Sequence, residues 1–305
     1  MKKNKLGKSD IYVSELTLGC MSLGTDPAKA KDIIDRALSM GINHLDTADL
    51  YGFGENEKIV GQAIKHRRDE VILTSKVGNH FNKETGDWYW DPSKKHIENG
   101  IKDSLHRLQT DYIDFYMLHG GTIDDPIDET IAAFETLKKE GLIRAYGISS
   151  IRPNVIREYV KRSSIDAVMM QYSLLDRRPE EAMLDLLHDN HISVLARGPL
   201  AKGMLSNTGD EQIKTKGKDG YLDYSFSELK DIRRKLIDLN RGQRSLNALA
   251  LKYVLKHPAV ASAVFGASSV QQVEENVALD ADSLSDDTYK SLKNLTKPIR
   301  YTKHR

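Results

Sequence analysis

Asp46, Lys76 and His119 each stand where a short apolar run gives way to polar chain, and Tyr51 follows Asp46 by five residues. A carboxylate, a phenol, an ammonium and an imidazole suit one task in particular. A free phenol has a pKa of about 10 and is a poor acid near neutrality. A neighbouring ammonium favours the phenolate and lowers that value. A carboxylate beside the ammonium keeps it charged and oriented, so Tyr51, Lys76 and Asp46 read as a proton relay. An imidazole at His119 can donate a hydrogen bond to a substrate oxygen or help to move its proton. Such a set fits protonation of an oxygen as it becomes an alkoxide. The other half of that reaction is a hydride, which no side chain supplies, so a nicotinamide cofactor is implied.

Each residue alone has an ordinary reading: a lone Asp before a helix is a cap or turn residue, and a lone His or Tyr is packing or surface. The elements around them argue for a shared site. The stretch 41–76, GINHLDTADLYGFGENEKIVGQAIKHRRDEVILTSK, reads strand, loop, helix, strand. Residues 43–45 form a short buried strand, Gly52 and Gly54 free the backbone, and Asn56 is expected to cap a helix with Ile59, Val60 and Ile64 on one face. Residues 71–75 are a dense β run with Lys76 at its end.

The alternation continues along the chain. Residues 2–19 read as a hairpin followed by a first inner strand, 16–19. Helices are expected over 27–40, 93–108, 127–140, 153–161, 180–190, 229–239, 246–257, 270–277 and 286–295. Further strands are expected over 113–118, 143–148, 167–170, 192–196 and 261–265. Residues 78–93 read as a long loop, and the polar segment 202–227 as a lid or a disordered stretch. Eight strands alternating with helices at roughly thirty-residue intervals imply parallel strands and right-handed crossovers. An open dinucleotide-binding sheet would carry G-x-G-x-x-G after its first strand, whereas Gly19-Cys20-Met21-Ser22-Leu23-Gly24 lacks the second glycine. The fold expected is a single (β/α)8 TIM barrel over residues 1–305, with an N-terminal β-hairpin and a C-terminal helix.

In such a barrel the C-terminal strand ends meet at one mouth. Those ends carry Asp46, Lys76, His119, Ser149-Ser150, Gln171, Arg197 and Gly266. Trp88, Tyr89 and Trp90 lie after Lys76 and can form an apolar wall around a substrate, or simply anchor a surface loop.

Composition bounds the rest. Lys plus Arg number 45 against 44 for Asp plus Glu in 305 residues, which argues against a nucleic-acid or anionic-membrane surface. Cys20 is the only cysteine, so an intramolecular disulfide and a multi-cysteine metal site are excluded, and no metal is expected. No apolar run approaches a membrane span, and MKKNKLGKSD lacks an apolar signal region. The expectation is a soluble, cytoplasmic, monomeric protein.

Over nearly its whole length the chain resembles the aldo-keto reductases. The segments that carry the likeness are LGKSDIYVSELTLG, GINHLDTADLYGFGENEKIVGQAI, VILTSKVG, DYIDFYMLH, GLIRAYGISS and GASSVQQVEEN. The likeness points to the bacterial NADP(H)-dependent branch and extends to potassium-channel β-subunits. It implies that Asp46, Tyr51, Lys76 and His119 are a catalytic tetrad, with Tyr51 the general acid in carbonyl reduction. It also implies NADP(H) bound across the barrel mouth. Ser149 and Gln171 match the groups that hold the nicotinamide carboxamide, and Asp46, Cys20 and Met21 lie near the same ring. Pro199, Leu200, Ala201, Lys202 and Gly203 match the loop around the pyrophosphate. Gly266, Ser268, Gln272, Glu275 and Asn276 match the adenosine end.

Two positions depart from the family pattern. Many members stack an aromatic residue on the nicotinamide where this chain has Arg197; a guanidinium can stack, but its charge opposes a cationic ring. Some branches hold the 2′-phosphate with an Arg where this chain has Gln272, so Lys214, Lys216 or Lys218 would have to supply the charge. The activity implied is reduction of a small aldehyde or ketone. The alternatives are a cofactor-binding regulatory protein with little turnover, and a barrel lyase or isomerase using Lys76 as a Schiff base.

Overall fold

The N-terminal hairpin forms as expected: β1 (Lys3–Lys5) and β2 (Tyr12–Ser14) pair antiparallel. Its turn depends on Gly7, which has φ +56° and sits where a Cβ would lie 2.0 Å from the Asp166 carbonyl oxygen. The hairpin feeds β3 (Leu16–Gly19), and the computed structural model, which describes residues 1–279 and 283–305, then alternates helix and strand. In chain order come α1 (Pro27–Ser39), β4 (His44–Asp46), α2 (Glu55–Ile64), β5 (Ile72–Val77), a second hairpin of β6 (Asn79–Phe81) and β7 (Trp88–Trp90), α3 (Lys94–Leu108), β8 (Ile113–Leu118) and α4 (Ile127–Lys139). There follow β9 (Ile143–Ser149), α5 (Pro153–Arg162), β10 (Ala167–Gln171), α6 (Met183–Asp189), β11 (Ser193–Arg197), α7 (Gly209–Lys216), α8 (Phe226–Asn240), α9 (Leu246–Leu255), β12 (Val260–Gly266), α10 (Val270–Val277) and α11 (Asp286–Leu295).

The eight strands β3, β4, β5, β8, β9, β10, β11 and β12 pair in parallel in that order, and β12 returns to β3 to close a barrel. Six of the helices, α1, α3 and α8 to α11, start where a short polar side chain satisfies free N–H groups: Asp26 before Pro27, then Ser93, Ser225, Ser245, Ser269 and Ser285. Two apolar cores result. One lies between barrel and helices. The other fills the barrel itself, where Leu6, Ile11 and Val13 of the first hairpin plug one end against Phe115, Met117, Ala145, Met169 and Leu195. Hydrogen bonding of Gly7 N–H to Ser193 Oγ, at the start of β11, places that plug at the N-terminal end, away from the mouth.

Several local expectations are corrected. Residues 78–93 are not a plain loop but contain the β6–β7 hairpin, with Asn79, His80 and Phe81 opposite Trp90, Tyr89 and Trp88. Asn56 does not cap α2: Gly54 is the N-cap, and the Asn56 amide is buried elsewhere. The expected helix 180–190 splits into a 3-10 turn, Arg178–Glu181, and α6, because Ala182 (φ −161°, ψ −23°) leaves the helical conformation between them and Glu180 is held by Arg177, Tyr172 and Lys293. Residues 202–227 are neither disordered nor an open loop. They carry α7, bury Ile213 and Tyr224, and are pinned by Arg233, which donates to the Ser206 and Asn207 carbonyls at 2.6 and 2.9 Å.

Candidate active site

Strand periodicity builds the site floor. Alternate residues of β4 and β5 point into the barrel, so His44 and Asp46 on one strand face Thr74 and Lys76 on the next. The lower pair belongs to a polar row: Ser262 and Thr17 hydroxyls meet at 2.6 Å, Thr17 Oγ1 meets His44 Nδ1 at 2.7 Å, and His44 Nε2 meets Thr74 Oγ1 at 2.6 Å. Both ring nitrogens of His44 are thus partnered. Burial, then the Lys76 charge, holds His44 down to about 3.

Lys76 stands above that row, fully buried. Its Nζ lies 2.8 Å from Asp46 Oδ1 and donates to the Thr47 carbonyl at 2.7 Å and to Tyr51 Oη at 3.3 Å. Three N–H groups therefore face three oxygens. Burial alone would lower the Lys76 pKa, but Asp46 and Tyr51 outweigh it and raise it, so the ammonium stays charged. Burial also pushes the Asp46 carboxyl up, opposed by Lys76 and Arg197.

The Tyr51 ring is delivered by a strained turn. Gly52, Phe53 and Gly54 all take positive φ, 56°, 52° and 86°, and at Gly54 a Cβ would meet the Arg107 side chain at 2.6 Å. Phe53 has no such freedom by nature; its ring rests on Phe81 of the second hairpin, centroids 5.5 Å apart. Behind the turn, Glu57 is buried and takes Arg107 Nε at 2.6 Å and Ser75 Oγ at 2.5 Å. Asn56 accepts from Thr47 Oγ1 and donates to the Cys20 carbonyl, fixing the chain just after Asp46. Signals for these supports were thin: Asn56 and Glu57 read as helix-start residues, and nothing marked Arg107 as their neighbour.

His119 follows β8 directly and meets the Tyr51 ring edge-on, centroids 5.8 Å apart. Its Nδ1 has no hydrogen-bond partner among the described residues. Burial, then Lys76 and Arg197, holds its pKa down to about 3, so the ring is neutral at any physiological pH. A neutral imidazole can donate a hydrogen bond through one of its ring nitrogens. The structure thus brings Asp46, Tyr51, Lys76 and His119 together at the C-terminal strand ends.

The opposite rim is polar and partly open. Arg197 donates to Gln171 Oε1 at 3.1 Å, and Gln171 Nε2 donates to Tyr221 Oη at 3.1 Å. Tyr221 comes from the segment expected to be a lid and was missed in the sequence, where only its Gly220 neighbour signals a turn. Ser149 ends β9 beside Met169 of β10. Beyond β11 the backbone turns left-handed at Gly198, Ala201, Lys202 and Gly203, with Pro199 and Leu200 between them. Lys202 is exposed, and its carbonyl accepts from Lys216 Nζ at 3.2 Å. Past β12, Gly266, Ser268 and Gln272 are exposed; Gln272 Oε1 accepts from Ser268 N–H at 2.8 Å. Glu275 is held by Gln271, and Asn276 is buried, accepting from Asn247 Nδ2 at 2.6 Å. Of the two residues after β3, Met21 is 67 % exposed, but Cys20 has no exposure and its thiol is turned away from solvent. Burial, then the Asp46 charge, pushes that thiol far up, which removes it as a nucleophile. Trp88 and Tyr89 are more than half exposed, whereas Trp90 is anchored by its Nε1–H to Asp125.

No helix among the described residues is long and apolar enough to cross a membrane. The chain is 53 % identical to the uncharacterized oxidoreductase YqkF of Bacillus subtilis, with both chains covered in full. It is 36 % identical to the NADH-specific methylglyoxal reductase of Escherichia coli, covering 94 % of this chain and 95 % of that one. Among solved structures, the holo form of aldo-keto reductase AKR11C1 from Bacillus halodurans superposes with a TM-score of 0.94 at 55 % identity, covering 100 % and 99 % of the two chains. A profile of the aldo/keto reductase family matches residues 15–297, a span that holds every strand of the barrel and Asp46, Tyr51, Lys76 and His119, and the chain belongs to that family.

Proposed function

We propose that this protein reduces small aldehydes or ketones to alcohols with NADPH, using Tyr51 as general acid. The observation that carries the reading is the position of Lys76 Nζ, held between Asp46 and the Tyr51 hydroxyl in a buried floor, with a neutral His119 across the ring. Tyr51 donates its proton to the carbonyl oxygen as that oxygen gains charge. The Lys76 ammonium stabilises the phenolate left behind, and Asp46 keeps the ammonium charged and aimed. His119 donates a hydrogen bond to the same oxygen and orients the carbonyl. In this reading a bound nicotinamide supplies the hydride.

The chain's own residues fit a dinucleotide. Gln171 and Ser149 offer amide and hydroxyl groups for a carboxamide, and Arg197 a plane for the ring. The left-handed turn 198–203 suits a pyrophosphate, with Lys202 and Lys216 supplying charge. Ser268, Gln272, Glu275 and Asn276 suit the adenosine end. Preference for NADPH over NADH rests on positive charge at the 2′-phosphate, for which Lys214, Lys216 and Lys218 are the candidates. The name of the Escherichia coli relative, which specifies NADH and methylglyoxal, makes the choice a real one and nominates 2-oxoaldehydes as a first substrate class. Dissociation constants for NADPH and NADH, with turnover across methylglyoxal and simpler aldehydes and ketones, test the reading. Tighter NADPH and measurable turnover are expected; tighter NADH would overturn the cofactor assignment, and tight NADPH binding without turnover would favour a regulatory role.

A Schiff-base role for Lys76 is disfavoured by its geometry, since a charged amine bound to three oxygens is not a nucleophile. We further propose that residues 1–305 act as one domain, as a cytoplasmic monomer, in keeping with a net charge of +1.

A further inference from the structure

We infer that His80, Asp91 and His96 form a site for a divalent transition metal ion, zinc in the first instance, which staples the second hairpin to the start of α3. His80 is the middle residue of β6, Asp91 follows β7, and His96 lies in the first turn of α3. Their ligand atoms all fall within 4.8 Å of one another. The two Nδ1 atoms face each other at 3.2 Å, and Asp91 Oδ2 lies 4.0 Å from His96 Nδ1. With Zn–N bonds of about 2.0–2.1 Å, two ligand nitrogens on a tetrahedral ion stand roughly 3.3 Å apart. The imidazole pair already has that spacing, and the carboxylate, with all three ligand atoms within 4.8 Å, has to move in by about 1.5 Å at most.

The surroundings fit the assignment. Asp91 Oδ1 is fixed by the Ser93 N–H at 3.1 Å, which leaves Oδ2 turned toward the imidazoles. The His80 ring is steadied by Tyr89, centroids 5.0 Å apart. His96 presents Nδ1 to the cluster, facing His80 Nδ1. Two histidines, one carboxylate and an open side for water make a set suited to zinc, nickel, cobalt or copper rather than to calcium or magnesium.

A staple here has a physical purpose. Two strands of three residues each do not hold together by themselves. This hairpin reaches the Tyr51 turn through Phe81 on Phe53 and Lys83 on Glu55, so fixing it fixes the wall beside the general acid.

The test is titration of the tag-free full-length protein with Zn2+ alone by calorimetry, and with Co2+ followed by its visible absorption. One ion per chain is expected, with the intense visible bands of low-coordinate Co2+. His80→Gln and His96→Gln should each weaken Zn2+ binding by roughly tenfold or more, the range seen even for lesser changes around a metal. The exposed His66→Gln should leave it unchanged. His80 is exposed, so its variant keeps the fold and the test stands even if His96→Gln does not. Absence of saturable Zn2+ binding, or the same affinity in His80→Gln as in the wild type, would overturn the site and leave the pair as an imidazole–imidazole hydrogen bond.

Discussion

The two halves of the barrel interior are built from opposite materials. Along β8 to β11 the inward residues are Phe115, Met117, Ala145, Ala167, Met169 and Leu195. Along β12 and β3 to β5 the interior carries Ser262, Thr17, His44, Asp46, Thr74 and Lys76, with Ala261 and Val264 of β12 joining the apolar side. The halves meet at equal height, with Thr74 paired to Phe115 and Lys76 to Met117 across the β5–β8 seam. The apolar half stabilises by packing and tolerates no gap. The polar half must partner the donors it buries, and it does so as a row, Ser262–Thr17–His44–Thr74, with the Lys76 ammonium held separately above it by Asp46, the Thr47 carbonyl and Tyr51. The contrast teaches why the chemistry sits where it does. The apolar half excludes water from a floor whose charges then act on one another strongly.

The largest effect should come from taking the charge out of the polar half. Lys76→Met leaves Asp46 buried without its partner, at a cost of about 3–5 kcal/mol, and should cut turnover by roughly 10²–10⁴-fold. Urea unfolding and steady-state rates check both; a variant that keeps its turnover would break the relay. Phe115→Ala, in the other half, should cost a similar 3–5 kcal/mol or so through its cavity. Yet turnover per folded molecule should stay close to wild type, and a matching collapse would erase the distinction between the halves.

A smaller effect separates them by pH. The folded pKa of His44 is near 3 against an ordinary 6.5, so the unfolded chain binds the extra proton between those values. The contribution is present above pH 6.5 and is lost as pH falls toward 3. Relative to His44→Gln, the wild type should lose about 1.4 kcal/mol per pH unit on acidification through that window. Parallel unfolding midpoints for the two proteins from pH 7 to 5 would contradict it. Smallest of all, Arg197→Met should improve NADP+ binding relative to NADPH by about half a pKa-unit's worth of energy, a few-fold, because a fixed cation no longer faces the oxidised ring. An unchanged ratio by fluorescence titration would show that Arg197 is not beside the ring.

Much of this was legible in the chain. Strand-end residues gave the mouth, since Asp46, Lys76 and His119 close apolar runs and parallel strands bring such ends together. What stayed hidden was whatever depends on contacts distant in sequence. Arg107 reads as an ordinary helix residue, although it anchors buried Glu57 behind the Tyr51 turn. Tyr221 sits in a polar segment, and only the fold carries it to Gln171. The hairpin of residues 79–90 was missed because its strands are three residues long, too short for alternation to register. Asn56 shows the converse: a good capping residue by type, drawn one position into the helix to tie Thr47 to Cys20.

The most direct measurement is NADPH oxidation with an aldehyde panel, wild type beside Tyr51→Phe, with cofactor affinity measured in parallel. The substitution keeps the ring against His119 and removes only the hydroxyl that Lys76 holds. Turnover should fall by roughly 10²–10⁴-fold while NADPH binds as before. Turnover that survives the loss of that hydroxyl would contradict the account, because the proton would then be coming from another group.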